Sequence, residues 1–158
     1  KLMIETENVD NFIYKLPTYI QNLQWTVAVI QVKKIKNETA FGKYVRRVQR
    51  PKLGNKTLYI LNQDLTKKTS TIEDIKKYYS GKVKIVAKEE IINAIENQDK
   101  KIAFVSIVGR TKEIAEKVSY IMIYTAKGGE LLHHNYHIAN IWNPAGVIPI
   151  DLKKLKMK

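Results

Sequence analysis

The chain's three histidines, His133, His134 and His137, lie within five residues of one another. A metal site needs side chains that converge on one ion at about 2 Å. The segment predicts a strand, because it follows the turn-forming pair Gly128 and Gly129. Residues four apart on a strand are separated by about 13 Å, so His133 and His137 cannot share an ion. We therefore predict polar strand residues, with no metal and no cofactor.

Other residues that could do chemistry also favour structural roles. Adjacent carboxylates occur at Glu73 and Asp74 and at Glu89 and Glu90. Both pairs fall in the first turns of predicted helices, where negative charge is stabilising. Neighbouring helix side chains diverge, so neither pair faces one pocket. Ser106 lacks the Gly-x-Ser-x-Gly elbow of a nucleophile. We predict no catalytic residue, and the sequence leans against an enzyme.

The most informative feature is the basic segment 33–56. Nine lysines and arginines are opposed there only by Glu38, and three of the chain's four arginines are included. Such a cluster could neutralise phosphates, with Phe41 and Tyr44 stacking on bases. The same pattern fits a solvated helix face whose aromatic rings pack in the core, and both interpretations stay open. The residues predicted to bind nucleic acid or another polyanion are Arg46, Arg47, Arg50 and Lys52.

A third possibility is an enzyme whose site is assembled from scattered residues. Open sheets with parallel strands bind ligands beyond the carboxyl ends of those strands. In this sequence, that edge would include Asp64 and Arg110, which are the residues to inspect.

The apolar pattern predicts two N-terminal helices followed by alternating strands and helices. Apolar residues from Tyr19 to Ile30 recur at helical spacing after Pro17, and 37–48 forms a weaker helix. From Asn55 the order is β-α-β-α-β-β-β, which predicts an α/β or α+β fold: a mixed sheet with helices packed on it. The predicted strands are 56–62, 82–87, 102–108, 119–126 and 130–138, and the helices between them are 71–79 and 88–98.

The N-terminal helices are expected to cover an apolar face of the sheet. Residues 1–158 then form one domain, in which the helical segment 1–54 packs on the mixed-sheet segment 55–158. The apolar stripe of the first helix is Tyr19, Ile20, Leu23, Val27 and Ile30. That of the second is Phe41, Tyr44, Val45 and Val48.

Composition narrows the class of protein. Apolar residues make up 44% and charged residues 27%, close to the globular average, so the chain is not disordered. The absence of cysteine excludes disulfides, thiolate nucleophiles and iron–sulfur clusters. No apolar run is long enough to span a membrane. The net charge of +13 comes mostly from lysine, so it fits either surface composition or a polyanion partner.

Several segments carry a resemblance to known proteins. They are Lys56-Thr-Leu-Tyr-Ile-Leu, Ile72-Glu-Asp-Ile-Lys-Lys-Tyr-Tyr, Lys82-Val-Lys-Ile-Val, Glu89-Glu-Ile-Ile-Asn-Ala-Ile, Ile102-Ala-Phe-Val-Ser and Tyr124-Thr-Ala-Lys-Gly-Gly-Glu-Leu-Leu. This pattern resembles uncharacterised exported α/β proteins of Bacteroidetes-type bacteria and covers about 55–134. The resemblance brings no assigned activity. It implies an exported or cell-envelope location in preference to the cytoplasm.

The leading hypothesis is therefore a non-enzymatic binding or structural domain of the bacterial cell envelope. The alternatives are a nucleic-acid or polyanion-binding protein that uses the segment 33–56, and an enzyme with an unrecognised site. A protein partner is compatible with the first.

Overall fold

The fold is built on a five-stranded mixed sheet with helices on both faces. The structure is a computed structural model that describes residues 13–109, 117–139 and 146–155. The strands are β1 (Thr57–Leu61), β2 (Lys82–Val86), β3 (Ile102–Gly109), β4 (Lys117–Thr125) and β5 (Leu131–Ala139). The α-helices are α1 (Leu16–Lys33), α2 (Glu38–Tyr44), α3 (Ile72–Lys76), α4 (Lys88–Glu96) and α5 (Pro149–Lys154). The predicted fold class and the order β-α-β-α-β-β-β are confirmed.

The strand order in the sheet is β2-β1-β3-β4-β5. β1 pairs in parallel with both β2 and β3, and Leu58 lies opposite Val83 on one side and Ala103 on the other. β3, β4 and β5 run antiparallel to one another. The side chains from Ile102 to Ser106 are all buried, as the nearly unbroken apolar run of β3 predicts.

The sheet separates two hydrophobic cores. On one face, Ile75 and Tyr79 from the region of α3 and Leu152 from α5 pack against the sheet. On the other face, Ile91 and Ile95 of α4 pack against the sheet together with aromatic side chains of α1 and α2. The two βαβ connections thus place α3 and α4 on opposite faces, as right-handed crossovers in opposite directions along a sheet require.

α1 contacts the rest of the protein through an inner face, defined here as Thr18, Asn22 and Trp25. Thr18 is fully buried. Asn22 Nδ2 donates a 2.9 Å hydrogen bond to the carbonyl oxygen of Gly129. The ring centroids of Trp25 and Phe41 lie 6.2 Å apart, edge to face. Polar and aromatic contacts, with few aliphatic ones, therefore hold α1 in place.

α1 and α2 cover one face of the sheet, as expected, but they do so mainly through aromatic side chains. Of the apolar stripe of α1, only Tyr19 packs into the core. Apolar periodicity identifies the faces of a helix but does not decide which one is buried when the other offers large aromatic rings. The aliphatic residues that remain exposed are Ile20, Leu23, Val27 and Ile30.

The predicted helix 37–48 continues beyond its expected end. α2 runs into a π-helical turn, Val45–Gln49, and then a 3₁₀ helix, Arg50–Asn55. Pro51 does not terminate it, because proline is tolerated in a first turn, where its N–H is not needed. Of the predicted stripe, Val45 is fully buried but Val48 is 48% exposed.

The remaining differences are at element ends and in the C-terminal region. The helix predicted over 71–79 is regular only as α3, and Thr71 caps it by accepting a hydrogen bond from Asp74 N. α5 was not predicted. Residues 1–12 and 110–116 lie outside the described residues.

Candidate functional site

Four lysines surround a cavity of about 480 Å³ at the amino ends of β1 and β3. We call it the lysine cavity and define it by Lys52, Lys56, Lys100 and Lys127. The 3₁₀ helix before β1, the turn before β3 and the β4–β5 turn bring these residues together. Glu130 is the one carboxylate among the described residues that line it. The cavity is open to solvent and strongly cationic.

Local hydrogen bonds fix the walls of the lysine cavity. Thr57 N donates to the Lys101 carbonyl oxygen at 2.8 Å, which holds the start of β1 beside the start of β3. In the β4–β5 turn, Thr125 Oγ1 donates to the Lys127 carbonyl oxygen at 2.6 Å and accepts from Glu130 N at 2.9 Å. The cavity is therefore a product of tertiary structure, in which a hydrogen-bonded backbone carries the lysine side chains.

The charges in the lysine cavity are only partly compensated. Lys52 Nζ lies 2.9 Å from Glu130 Oε2. Lys56 Nζ donates to the carbonyl oxygen of Lys100 at 2.5 Å. Burial lowers the pKa of Lys56, and so does the charge of Lys52, whereas the carboxylates of Glu130 and Asp99 act in the opposite direction. Among the described residues that line the cavity, one carboxylate faces four lysines, so an anion that enters would meet several donors at once.

The structure separates the four predicted polyanion-binding residues. Arg46 and Arg47 are exposed on the π-helical turn. Arg50 Nη1 donates to the carbonyl oxygen of Lys154 at 2.9 Å, which ties it to the end of α5. Only Lys52 reaches the lysine cavity. The charge cluster in the sequence is therefore spread over more than one surface.

His133 is a buried histidine whose pKa is affected by Arg46 and Arg50. Its side chain is buried on β5, and its pKa is lowered to about 3. Burial is the main cause, and the charges of His134, Arg50, Lys154 and Arg46 add to it. His133 is therefore neutral at physiological pH. His134 is exposed and lies opposite Met122 of β4.

Ser119, His137 and Asp151 have the residue types of a hydrolase triad. Ser119 lies directly opposite His137 across β4 and β5, and His137 Nδ1 is 3.4 Å from Asp151 Oδ2. Asp151, however, caps α5 by accepting from Ile148 N at 3.0 Å, and it also accepts from Asn135 Nδ2 at 2.8 Å. Ser119 is 1% exposed. A substrate could not reach this serine, so the group stabilises the packing of α5.

Asp64 follows β1 at the carboxyl end of the parallel strands, where the enzyme hypothesis places it. Burial raises its pKa to about 6, and the charge of Lys15 acts in the opposite direction. Lys15 is 6% exposed and also has a lowered pKa, because of its own burial. Neither the lysine cavity nor a smaller cavity beside α4 includes Asp64. Arg110 lies outside the described residues.

Sequence reasoning missed Lys100, Lys127 and Glu130 as neighbours of Lys52. They lie 48 to 78 residues further along the chain. The sequence predicts a turn that begins at Lys127 and another that ends at Lys100, but not that the two turns are neighbours. Pairing of β3 with β4 brings those two turns together, and pairing of β3 with β1 places them beside Lys52 and Lys56. Strand order was not predictable from the pattern.

Comparison with family models, curated proteins and solved structures gives no match. Among the described residues, no helix is long and apolar enough to cross a membrane. The same portion of the chain contains no group of three or more histidines and carboxylates arranged to hold a metal ion.

Proposed function

We propose that this chain is a non-enzymatic binding domain of the bacterial cell envelope that holds a polyanion in the lysine cavity. The observation that carries the proposal is the convergence of four lysines on one open cavity that contains a single carboxylate among its described residues. Lysine ammonium groups bind phosphate and other oxyanions as mobile point charges and do not require one fixed geometry. The proposal therefore concerns a class of anion, not a specific sequence or sugar.

The size of the cavity supports this ligand class. Small-molecule sites occupy about 300 to 1,000 Å³, and the lysine cavity, at about 480 Å³, falls within that range. It would accept a few charged units of a polymer. Lys52 belongs to the 3₁₀ helix Arg50–Asn55, and the exposed Arg46 and Arg47 do not line the cavity. A chain of phosphates has the repeated charge that the lysine cavity fits.

The ion pair between Lys52 and Glu130 would break when an anion binds. Lys52 and Glu130 have side chains that are 45% and 34% exposed, so their ion pair is screened by water and contributes little to stability. A phosphate that enters can replace Glu130 as the partner of Lys52. We therefore expect affinity to rise when Glu130 is replaced by glutamine.

The test is fluorescence anisotropy with labelled polyphosphate and with single-stranded DNA over a salt series. Four ion pairs with single-stranded DNA give a slope of about −3 for log K against log salt. Lys56→Gln, Lys100→Gln and Lys127→Gln together should reduce that slope by about 2. Equal binding of polyphosphate and DNA would identify the shared phosphate charge as the ligand.

A matched control removes three lysines elsewhere. Lys67, Lys68 and Lys76 are exposed and do not line the cavity. Their triple glutamine variant has the same net charge as the cavity variant, and we expect it to bind almost as the wild type does. If both variants lose affinity equally, the cavity has no special role. If only Arg46→Gln and Arg47→Gln reduce binding, the π-helical turn is the site instead.

The envelope location rests on the sequence resemblance described above. Fractionation of cells that express the complete gene product should place it outside the cytoplasm. Recovery in the cytosolic fraction would contradict this element of the proposal and leave anion binding to be judged separately.

A further inference from the structure

The outer face of α1 is an exposed aliphatic stripe. We define it by Leu16, Ile20, Leu23, Val27 and Ile30. Their exposed fractions run from 39% at Ile30 to 54% at Val27, and Ile13, just before the helix, is 56% exposed. Single exposed aliphatic residues are ordinary, but a continuous stripe along one helix is typical of an interaction surface.

Contacts of the inner face of α1 hold this stripe away from the sheet. The inner face is held by the Asn22 hydrogen bond to Gly129. At Gly129 the helix backbone also approaches the β4–β5 turn closely: an added Cβ would lie 2.7 Å from the Thr18 carbonyl oxygen. The outer face is therefore presented on a helix whose position is already set, which lowers the entropic cost of binding.

The spacing and types of the outer-face residues match a two-stranded helix pair. Leu16, Ile20, Leu23, Val27 and Ile30 alternate at intervals of four and three. This is the a and d pattern of a heptad repeat, with Ile20 and Val27 at a, and with Leu16, Leu23 and Ile30 at d. In parallel coiled coils, β-branched residues at a with leucine at d favour two strands, and only Ile30 departs from this pattern.

The charge distribution favours a second copy over an oppositely charged partner. Residues 16–32 contain no charged side chain, although the chain as a whole carries +13. The residues flanking the outer face, Gln24, Thr26 and Gln31, are neutral. Two copies can therefore approach along residues 16–32 without like-charge repulsion, and like charges meet only at the end of α1, at Lys33 and Lys34. An acidic partner would find no basic flank to recognise along 16–32.

The available area is sufficient for a weak dimer. The exposed parts of the outer-face side chains and of Ile13 amount to roughly 500 Å² per copy, so a twofold contact would bury about 1,000 Å². That is the lower limit for a specific interface. The 18 residues of α1 span about 27 Å, too short for an isolated coiled coil, but the domain already holds this helix folded.

We infer that α1 pairs in parallel with α1 of a second copy of this chain through the outer face. Each domain then lies on the far side of its own helix, because the inner face of α1 points away from the outer face. The contact is isologous and closes as a dimer. This inference is independent of anion binding, because the lysine cavity and the outer face share no residue.

The first test is sedimentation velocity of the full chain from about 1 to about 200 μM, with an expected dimer dissociation constant in the micromolar range. Leu23→Gln with Val27→Gln should raise that constant at least about tenfold. Val48→Gln is the matched control, since Val48 is 48% exposed but lies outside α1. Urea unfolding of each variant checks that it folds. A wild type that stays monomeric, or a dimer that the double substitution leaves unchanged, overturns the inference.

The second test measures orientation with a single cysteine, since the chain has none. In a parallel pair Ile20 meets its own counterpart, so Ile20→Cys should form an intermolecular disulfide under mild oxidation. Val32→Cys, at a residue 73% exposed but off the outer face, should not. Equal cross-linking at both positions contradicts the specific pairing.

Two other occupants of the outer face give different results, and either overturns the inference. If residues 1–12 cover it within one chain, the wild type is monomeric and the Leu23 and Val27 substitutions lower the free energy of unfolding. If a membrane surface covers it, the monomer binds phosphatidylcholine–phosphatidylglycerol vesicles and the same substitutions abolish that binding.

Discussion

The two ends of the parallel strands hold their charged groups in opposite ways. At the carboxyl end, Lys15 is buried and Asp64 is half-buried, and loss of solvent shifts the pKa of each toward its neutral form. At the amino end, the lysine cavity keeps its ammonium groups in contact with water, around one partly exposed carboxylate. The comparison indicates that charge at the carboxyl end affects stability, whereas charge at the amino end is available for binding.

The largest expected effect is at Asp64. The unfolded aspartate titrates near 4, and the folded one at about 6. Because the pKa of Asp64 is raised in the folded state, its contribution to the free energy of unfolding is complete below about pH 4. That contribution is lost as the pH rises through 6. Two pKa units correspond to about 3 kcal/mol. As the pH rises from 4 to 7.5, the free energy of unfolding of Asp64→Asn should therefore increase by up to about 3 kcal/mol relative to that of the wild type. Urea unfolding measures this difference.

Asp74 is the control for that experiment. It is the exposed partner of Lys77, and hydrogen bonds from Lys77 and Thr71 lower its pKa. Its contribution is present at neutral pH and is lost on acidification, so Asp74→Asn should show the opposite pH dependence. If the two variants behave alike, burial does not distinguish the carboxyl end from the exposed surface.

The next prediction compares the two glycines of the β4–β5 turn. Gly128 and Gly129 both have positive φ, at 73° and 60°. An added Cβ at Gly128 would meet nothing within 4 Å, whereas at Gly129 it would lie 2.7 Å from Thr18 O. Gly128→Ala should lower the free energy of unfolding by about 1 kcal/mol, because alanine disfavours the left-handed backbone. Gly129→Ala should cost about 2 kcal/mol more, because α1 must shift.

Thermal and urea unfolding of the two alanine variants measure this difference. Equal losses of stability would mean that α1 does not approach the turn closely. In that case the outer face of α1 would not be fixed by the inner face.

The smallest effect is expected at the Lys52–Glu130 pair. A double-mutant cycle with Lys52→Gln and Glu130→Gln should give a coupling energy of about 0.5 kcal/mol, because both side chains are partly exposed. The coupling should fall further as salt is raised. A value above about 2 kcal/mol would show that the lysine cavity is a closed structural cluster and not an open binding surface.

The sheet was predictable from the sequence because each strand carries its own signal. β3 reads as an unbroken apolar run, and Gly128 and Gly129 mark the β4–β5 turn by their tolerance of positive φ. α4 has Glu89 and Glu90 in its first turn and an isoleucine face. These are local properties, and local patterns were sufficient for fold class and element order.

What the sequence could not predict depends on tertiary packing. Periodicity marked two faces of α1 but not the buried one, because the choice depends on rings from other elements, such as Phe41, and on the turn at Gly129. The lysine cavity depends on the pairing of β3 with both β1 and β4, so only Lys52 of its residues was among the four predicted binding residues. α5 was missed, although Pro149 at its first turn and Asp151 two residues later are ordinary signals of a helix start.

The most direct measurement of the central claim is NMR of ¹⁵N-labelled protein titrated with polyphosphate. Saturating shifts should concentrate on the backbone amides that wall the lysine cavity, those of Lys56, Lys100, Lys127 and Gly128, and they should disappear when the three cavity lysines are replaced by glutamine. The amides around Asp64 should not move. Shifts confined to Arg46 and Arg47, or no saturable shift at low salt, would contradict the account.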